Sequence, residues 1–293
     1  MEQLISGFLQ YLREVKRASD NTLQAYQNDL KKLRLFLERQ GIHSVDKISE
    51  TNLNSYILSL ERDGLSPASV SRNIAAMKAF FLYLIKHRLL QSDPSERMKP
   101  PRVQKKAPGV LKMDVVDRLL LQPDGRTKKG IRDRAMLELL YATGIKVSEL
   151  IALKQEDVNL TSGYITCGER RERNIPFGKT AREALEAYLT IREEAFAGKE
   201  KESRFLFLNS SGEALTRQGL WKLLKAYAKQ AGMEEVSPNS LRHSFAAHML
   251  ENGADLGSVQ EFLGHADIAT TQWYLNNGAK NSREVYMNTH PRA

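Results

Sequence analysis

Cysteine is almost absent from this chain: Cys167 is the only one in 293 residues. No internal disulfide can form, which fits a reducing compartment, and the expected location is the cytoplasm. No long uncharged apolar run occurs, so no segment reads as a membrane-spanning helix and no membrane partner is expected. The first residues, MEQLISGFLQYLREVKR, are amphipathic rather than signal-like. There is no low-complexity tract and no short-period repeat. Acidic residues are the scarcer charge: 35 Asp and Glu against 44 Lys and Arg, a formal net charge of +9. That surplus suits a polyanionic partner, nucleic acid in the first place. A hydrophobic content of 41% supports real cores, and the length allows one large or two modest domains.

Proline is also scarce, and four of the nine prolines fall in residues 93–110, DPSERMKPPRVQKKAPGV. Proline lacks the donor for a helix interior, so this stretch reads as an extended, basic linker between two domains, 1–92 and 111–293. Its bases include Arg97, Lys99, Arg102, Lys105 and Lys106. A solvated linker and a strap laid along a phosphate backbone are both consistent with it. Residues 1–92 read as a small helical bundle. Asp20 is placed to cap a helix with the apolar stripe Leu23, Tyr26, Leu30, Leu33 and Leu37, stopping at Gly41. Thr51 opens a short helix that stops near Gly64. Ser66 and Pro67 start another, with Val70, Ile74, Met77, Phe81 and Leu84 on one face. The outer faces carry Lys31, Lys32, Arg34, Arg72, Lys78, Lys86 and Arg88.

The second half is mainly α with a small β-sheet. Helices are expected at 130–144 with a glycine stop, 147–153, 180–192, 215–231, from Ser237-Pro238 to about Asn252, after Asp255, and at 281–288. Strands are expected at 164–167 and 174–177, joined by the charged turn GERRER, and at 204–208.

The segment 241–274, LRHSFAAHMLENGADLGSVQEFLGHADIATTQWY, carries the chemistry. An arginine, a histidine and a tyrosine stand in fixed order: Arg242, His265 and Tyr274. An arginine can clamp a phosphate, a histidine can hydrogen-bond a phosphate oxygen, and a tyrosine can attack phosphorus. Arg242 lies just after the Ser237-Pro238 cap, where a helix N-terminus already favours anions. Each residue alone has a plainer reading. Arg242 can be a surface arginine paired with a carboxylate, His265 a structural histidine, and Tyr274 a packing residue beside Trp273. His243, His248 and His265 lack the cysteines or carboxylates of a familiar metal spacing, so no metal site is expected.

Taken together, residues 241–274 resemble the C-terminal signature of the tyrosine recombinases, especially the Xer-type recombinases of bacteria. DNTLQAYQNDL resembles their N-terminal helical domain, YATGIKVSELIAL their first catalytic box, and VYMNTHPRA their terminus. The resemblance implies an N-terminal core-binding, SAM-like helical bundle and a catalytic domain, together a C-shaped clamp on double-stranded DNA. It implies a homo- or heterotetramer with a related recombinase on two DNA sites. It also implies strand cleavage by Tyr274 through a 3′-phosphotyrosyl intermediate, without ATP, metal or other cofactor, in chromosome-dimer resolution or mobile-element recombination. By motif, Arg242 is the second phosphate-clamping arginine and His265 a transition-state donor.

Three family positions differ here. Lys146 stands where the first box carries arginine. Asn239 stands where the second box carries histidine or lysine. The turn 168–173 has no lysine, and Arg170 is the residue favoured for its place. Lysine keeps the charge but loses the planar fork. Asparagine donates a hydrogen bond but exchanges no proton. Two readings follow: a working but slower recombinase, and a weakened paralogue that acts as a DNA-binding architectural or regulatory protein. A transcription regulator fits the charge and the helices but leaves the spacing of Arg242, His265 and Tyr274 unexplained.

Overall fold

The structure is a computed structural model that describes residues 1–101, 109–168, 172–196, 204–233 and 236–264, the side chains of residues 195 and 196 excepted. It divides into two compact units, Met1–Lys106 and Ala107–Ala293.

Four helices build the first unit: α1 (Glu2–Glu14), α2 (Asp20–Arg39), α3 (Glu50–Arg62) and α4 (Pro67–Lys86). Serine opens three of them. Ser19, Ser49 and Ser66 each adopt an extended backbone and accept a hydrogen bond from the amide three residues on. Asp20 and Thr51 were the expected caps, and both lie inside their helices instead. A serine stands just upstream of each, and its hydroxyl reaches the free amide first. Asp20 and Glu50 keep a role in the first turn, where an acidic side chain complements the helix dipole. The stripe Leu23, Leu30, Leu33 and Leu37 of α2 packs with Phe8, Leu53, Tyr56, Phe80, Phe81 and Leu84 into one core.

A polar knot crosses that core. Asp29, 2% exposed, accepts from Arg72 Nε at 2.7 Å and Nη2 at 2.9 Å and from Asn73 Nδ2 at 3.1 Å. Tyr56 donates its hydroxyl to Asn73 Oδ1 at 3.0 Å. Burial, together with the Asp29 charge, pushes the Tyr56 phenol up. Arg72 is therefore not simply a solvated base. Arg34 is likewise paired, with Glu38 at 2.9 Å, and Lys78 donates to the Glu96 carbonyl at 3.0 Å. That last bond belongs to a wider docking of the proline-rich stretch. Ser95 and Met98 are buried on the first unit, and Ser71 donates to the Pro101 carbonyl at 3.3 Å.

The second unit holds α5 (Met113–Leu120), α6 (Lys128–Thr143), α7 (Val147–Ala152), β1 (Val158–Asn159), β2 (Tyr164–Cys167), β3 (Arg173–Pro176), α8 (Lys179–Phe196), α9 (Arg217–Gln230), α10 (Pro238–Glu251) and α11 (Leu256–Leu263). Its centre is α6, buried on every side from Ala135 to Thr143 and packed against α8 and α10. The strands form an antiparallel sheet in the order β1, β2, β3, and Ile165 pairs with Ile175 on the buried face. Sequence periodicity missed α5 and β1, which are short. The expected strand at 204–208 is also corrected. Residues there form only isolated bridges, Lys154 to Phe205 and Leu208 to Ala214. Leu206, Phe207 and Leu208 are buried in succession, and beyond the stretch's two backbone bonds, to Leu153 and Gln155, they are met by the Tyr188 hydroxyl. It donates to the Leu206 carbonyl at 3.0 Å and accepts from the Leu208 amide at 3.2 Å. The helix expected at 281–288 lies outside the described residues.

Replacing Asp29 with alanine leaves the Arg72 fork and the Asn73 amide without their shared acceptor. The expected loss is about 2–3 kcal/mol in urea unfolding, against under about 0.5 kcal/mol for Arg34→Ala at the surface.

Candidate active site

Gly144 ends α6 in the left-handed conformation, φ +61°. A Cβ at this position would lie 2.4 Å from the Phe245 ring of α10, so glycine is required for both backbone and space. The chain then turns through Ile145 to Lys146, which caps α7. The Lys146 amide donates to Glu149 Oε2 at 2.8 Å, closing this turn on itself. The Lys146 side chain is partly exposed and has no ion pair among the described residues.

Arg242 faces the same turn from α10. Ser237 caps this helix by accepting from Ser240, and Pro238 occupies its first position. Asn239 follows and is exposed. Arg242 itself is only 4% exposed. Its Nη1 donates to the Gly144 carbonyl at 2.6 Å and its Nη2 to the Leu263 carbonyl at 2.7 Å. The plainer expectation of a surface arginine is corrected by this burial. The guanidinium is buried, and two backbone carbonyls orient it.

Sequence reasoning missed two further residues here. Arg173 of β3 lays its fork on Glu149, with Nη1 to Oε1 and Nη2 to Oε2 both at 3.0 Å, and its Nε donates to the Phe262 carbonyl at 2.8 Å. Burial raises the Glu149 carboxyl. The hydrogen bonds from Arg173 and from the Lys146 amide, with the charges of both residues, outweigh it and hold the group below the ordinary carboxylate range. Cys167 pairs with Arg173 across β2 and β3, and burial pushes its thiol up to about 11 despite the nearby Arg173 and Arg242 charges. The thiol is therefore protonated at neutral pH and a poor nucleophile. One local signal pointed to Glu149, an acid three residues after a cap position. Nothing local distinguished Arg173 from the other bases of its turn.

The remaining terminal carbonyls of α11 complete the arrangement. Its last four carbonyls have no partner within the helix. Gly264, left-handed at φ +69°, turns its amide back toward those of Gln260 and Glu261. Arg173 takes the carbonyl of Phe262 and Arg242 that of Leu263. The residue that follows Gly264 is His265.

The structure thus brings Arg242 to the turn that carries Lys146 and to the segment leading into His265. Asn239 lies one turn earlier on the Arg242 helix. His265, Tyr274 and Arg170 lie outside the described residues, as do Arg102, Lys105 and Lys106; Lys99 is exposed. Of the other histidines, His248 is buried and meets the Tyr141 hydroxyl through Nδ1 at 2.9 Å. Burial lowers its pKa. Among the described residues no group of three or more His, Cys, Asp or Glu is arranged to hold a metal ion. No helix among them is long and apolar enough to cross a membrane.

The phage integrase family pattern matches residues 109–281, and the N-terminal SAM-like domain of phage integrases matches residues 5–88. The chain is 43% identical to tyrosine recombinase XerD of Listeria innocua and 41% identical to that of Oceanobacillus iheyensis, each over 297 aligned residues and the full length of both proteins. The fold also resembles the crystal structure of XerH site-specific recombinase in its post-cleavage complex with a palindromic difH substrate. That likeness has a TM-score of 0.70 at 24% identity, over 93% of this chain and 81% of the other. The chain belongs to the phage integrase family and is a tyrosine recombinase.

Glu149 titrates lower in the folded protein than in the unfolded chain. Its charge therefore contributes stability above the unfolded value and loses that contribution as pH falls through the folded one. The melting temperature of the wild type should exceed that of Glu149→Gln at neutral pH. The gap should close as pH drops from about 5 to about 3.

Proposed function

We propose that this chain cuts and rejoins double-stranded DNA at specific sites, with Tyr274 as nucleophile. The observation that carries this reading is the buried Arg242, fixed between the Gly144 and Leu263 carbonyls beside the Lys146 turn and the segment entering His265. Two rigid elements that flank one arginine suit a phosphate that must be held while its bonds change. The Tyr274 oxygen attacks phosphorus and the bond to the 5′-oxygen breaks. The phenolic proton is lost and the departing 5′-oxygen takes one up. A 5′-hydroxyl of the partner strand then attacks the phosphotyrosine and releases the phenol. One phosphoester replaces another at each step, so the chain needs no ATP to drive the exchange.

Arg242, Lys146 and His265 neutralise and hydrogen-bond the non-bridging oxygens as charge builds on the phosphorane. A phenol has a pKa of about 10, and the same cations favour its deprotonated form. Asn239 contributes a hydrogen bond without proton exchange, and Arg170 stabilises the leaving oxygen as a fixed cation. Residues 1–92 and 111–293 form the two DNA-gripping domains, joined by the basic stretch 93–110, with Lys99, Arg102, Lys105 and Lys106 on phosphates. Four protomers assemble on two sites, with this chain alone or with a related recombinase, and the setting is the cytoplasm. The substitutions at Lys146 and Asn239 favour a slow enzyme. A DNA-binding paralogue without cleavage is the competing reading.

Fragments of the genome that encodes the chain, made as nicked duplexes, offer a direct test. The wild type should form a covalent adduct on its own site and Tyr274→Phe none. Lys146→Arg should raise the rate about ten- to a hundredfold, the worth of one regained charge-assisted hydrogen bond. No adduct from the wild type, with an adduct from Lys146→Arg, selects the paralogue. Affinity for the duplex should fall on the order of a thousandfold between about 50 and 200 mM salt, as expected when several phosphates are neutralised. Affinity insensitive to salt contradicts the DNA-gripping role.

Removing residues 276–293 should weaken synapsis of two sites more than binding to one, because the tail is proposed to dock on a neighbouring protomer. Equal loss of both contradicts that docking.

A further inference from the structure

Two arginines from different elements hold adjacent carbonyls of one helix terminus. Arg242 reaches from Leu263 to Gly144, and Arg173 reaches from Phe262 to Glu149. Gly144 and Glu149 are the two ends of the turn that carries Lys146. Leu263 and Phe262 end the helix that leads through Gly264 to His265. The two guanidinium groups are thus two rungs between the same two segments, one at each end of the turn.

We propose that Arg173 is a positioning residue for strand cleavage. It fixes the separation and orientation of the Lys146 turn relative to the chain entering His265. The inference rests on the recombinase reading above and adds a residue to it. Its physical basis is the geometry of the second rung. The Arg173 side chain is 9% exposed and that of Glu149 is 16% exposed, so water competes little for the pair. All three kinds of guanidinium nitrogen are used, which fixes the plane of the group as well as its position. A Cβ at Gly264 would lie 3.1 Å from Arg173 Cζ and Nη1, so the guanidinium packs directly on the residue before His265. Glu149 transmits the constraint, because the same carboxylate accepts from the Lys146 amide at 2.8 Å. Movement of Arg173 therefore moves the backbone at both ends. One rung alone leaves the two segments free to pivot about Arg242, and the second removes that freedom. A misplacement of about 1 Å in a phosphoryl-transfer site is enough to slow the step on the order of a hundredfold.

Lysine at position 173 keeps the charge but cannot make the side-on fork and the third bond together. The test is single-turnover adduct formation at saturating protein, on the nicked duplex that the wild type captures from the genome encoding it. Arg173→Lys should slow the step about ten- to a hundredfold. Half-saturation by DNA should stay within about threefold, since no phosphate contact is removed. In a Lys146→Ala background the same change should cost much less, because the residue it positions is gone. Glu149→Gln keeps an acceptor for the Lys146 amide but drops the charge, and it should slow the same step even if Arg173→Lys proves too unstable to assay. A wild-type rate for both variants overturns the inference. So does full additivity with Lys146→Ala, or a loss of DNA affinity in proportion to the loss of rate. A wild type that forms no adduct on any fragment overturns the recombinase reading itself, and this inference with it.

Discussion

The second unit depends on one buried guanidinium. Arg242 joins the Gly144 carbonyl, at the end of the central helix, to the Leu263 carbonyl, at the end of α11. Both acceptors are terminal helix carbonyls that have no partner within their own helix, and each is followed or formed by a left-handed glycine cap. Burying a charge among neutral acceptors is costly unless its hydrogen bonds are well made. Bonds of 2.6 and 2.7 Å to the two carbonyls meet that condition. On the proposed function, a cation held this way is oriented before the phosphate arrives, so little reorganisation is needed when charge develops there.

The rest of the site is built outward from that group. Gly144, with no side chain of its own, lets the ring of Phe245 on α10 pack directly against the end of α6. Lys146 then emerges two residues beyond the Arg242 contact, on a turn closed by Glu149. Arg173 ties that turn to α11 through a second route and brings β3 into the same frame. Helix, turn, strand and helix terminus thus share one hydrogen-bonded network, in which Arg242 and Arg173 each bridge two segments of the chain.

Some of this was legible in the sequence. Ser66-Pro67, Ser237-Pro238 and Asp255 mark helix starts because a cap acts over three residues, and Gly144 marks a stop for the same local reason. The spacing of Arg242, His265 and Tyr274 pointed to phosphoryl transfer through resemblance. The burial of Arg242 was not legible, because its partners lie 98 and 21 residues away. Arg173 was hidden among the bases of its turn, since its contacts to Glu149 and Phe262 are 24 and 89 residues distant. The stretch 204–208 looked like a strand because it is apolar and short, yet its backbone pairs only briefly with Leu153 and Gln155 and is otherwise met by side chains, the Tyr188 hydroxyl among them. Asp20 and Thr51 lost their capping roles to serines one and two residues earlier, a competition that propensity alone does not decide.

On the proposed function, the three altered positions, Lys146, Asn239 and the 168–173 turn, bear on rate, whereas the identity of the nucleophile decides the chemistry. The most direct measurement is mass spectrometry of the trapped protein–DNA adduct after trypsin and nuclease digestion. Tyr274 is the only tyrosine in the tryptic peptide spanning residues 243–280. A nucleotide remnant attached at Tyr274 in that peptide is the predicted result. A remnant on any other peptide, or on another residue of the same one, contradicts the account.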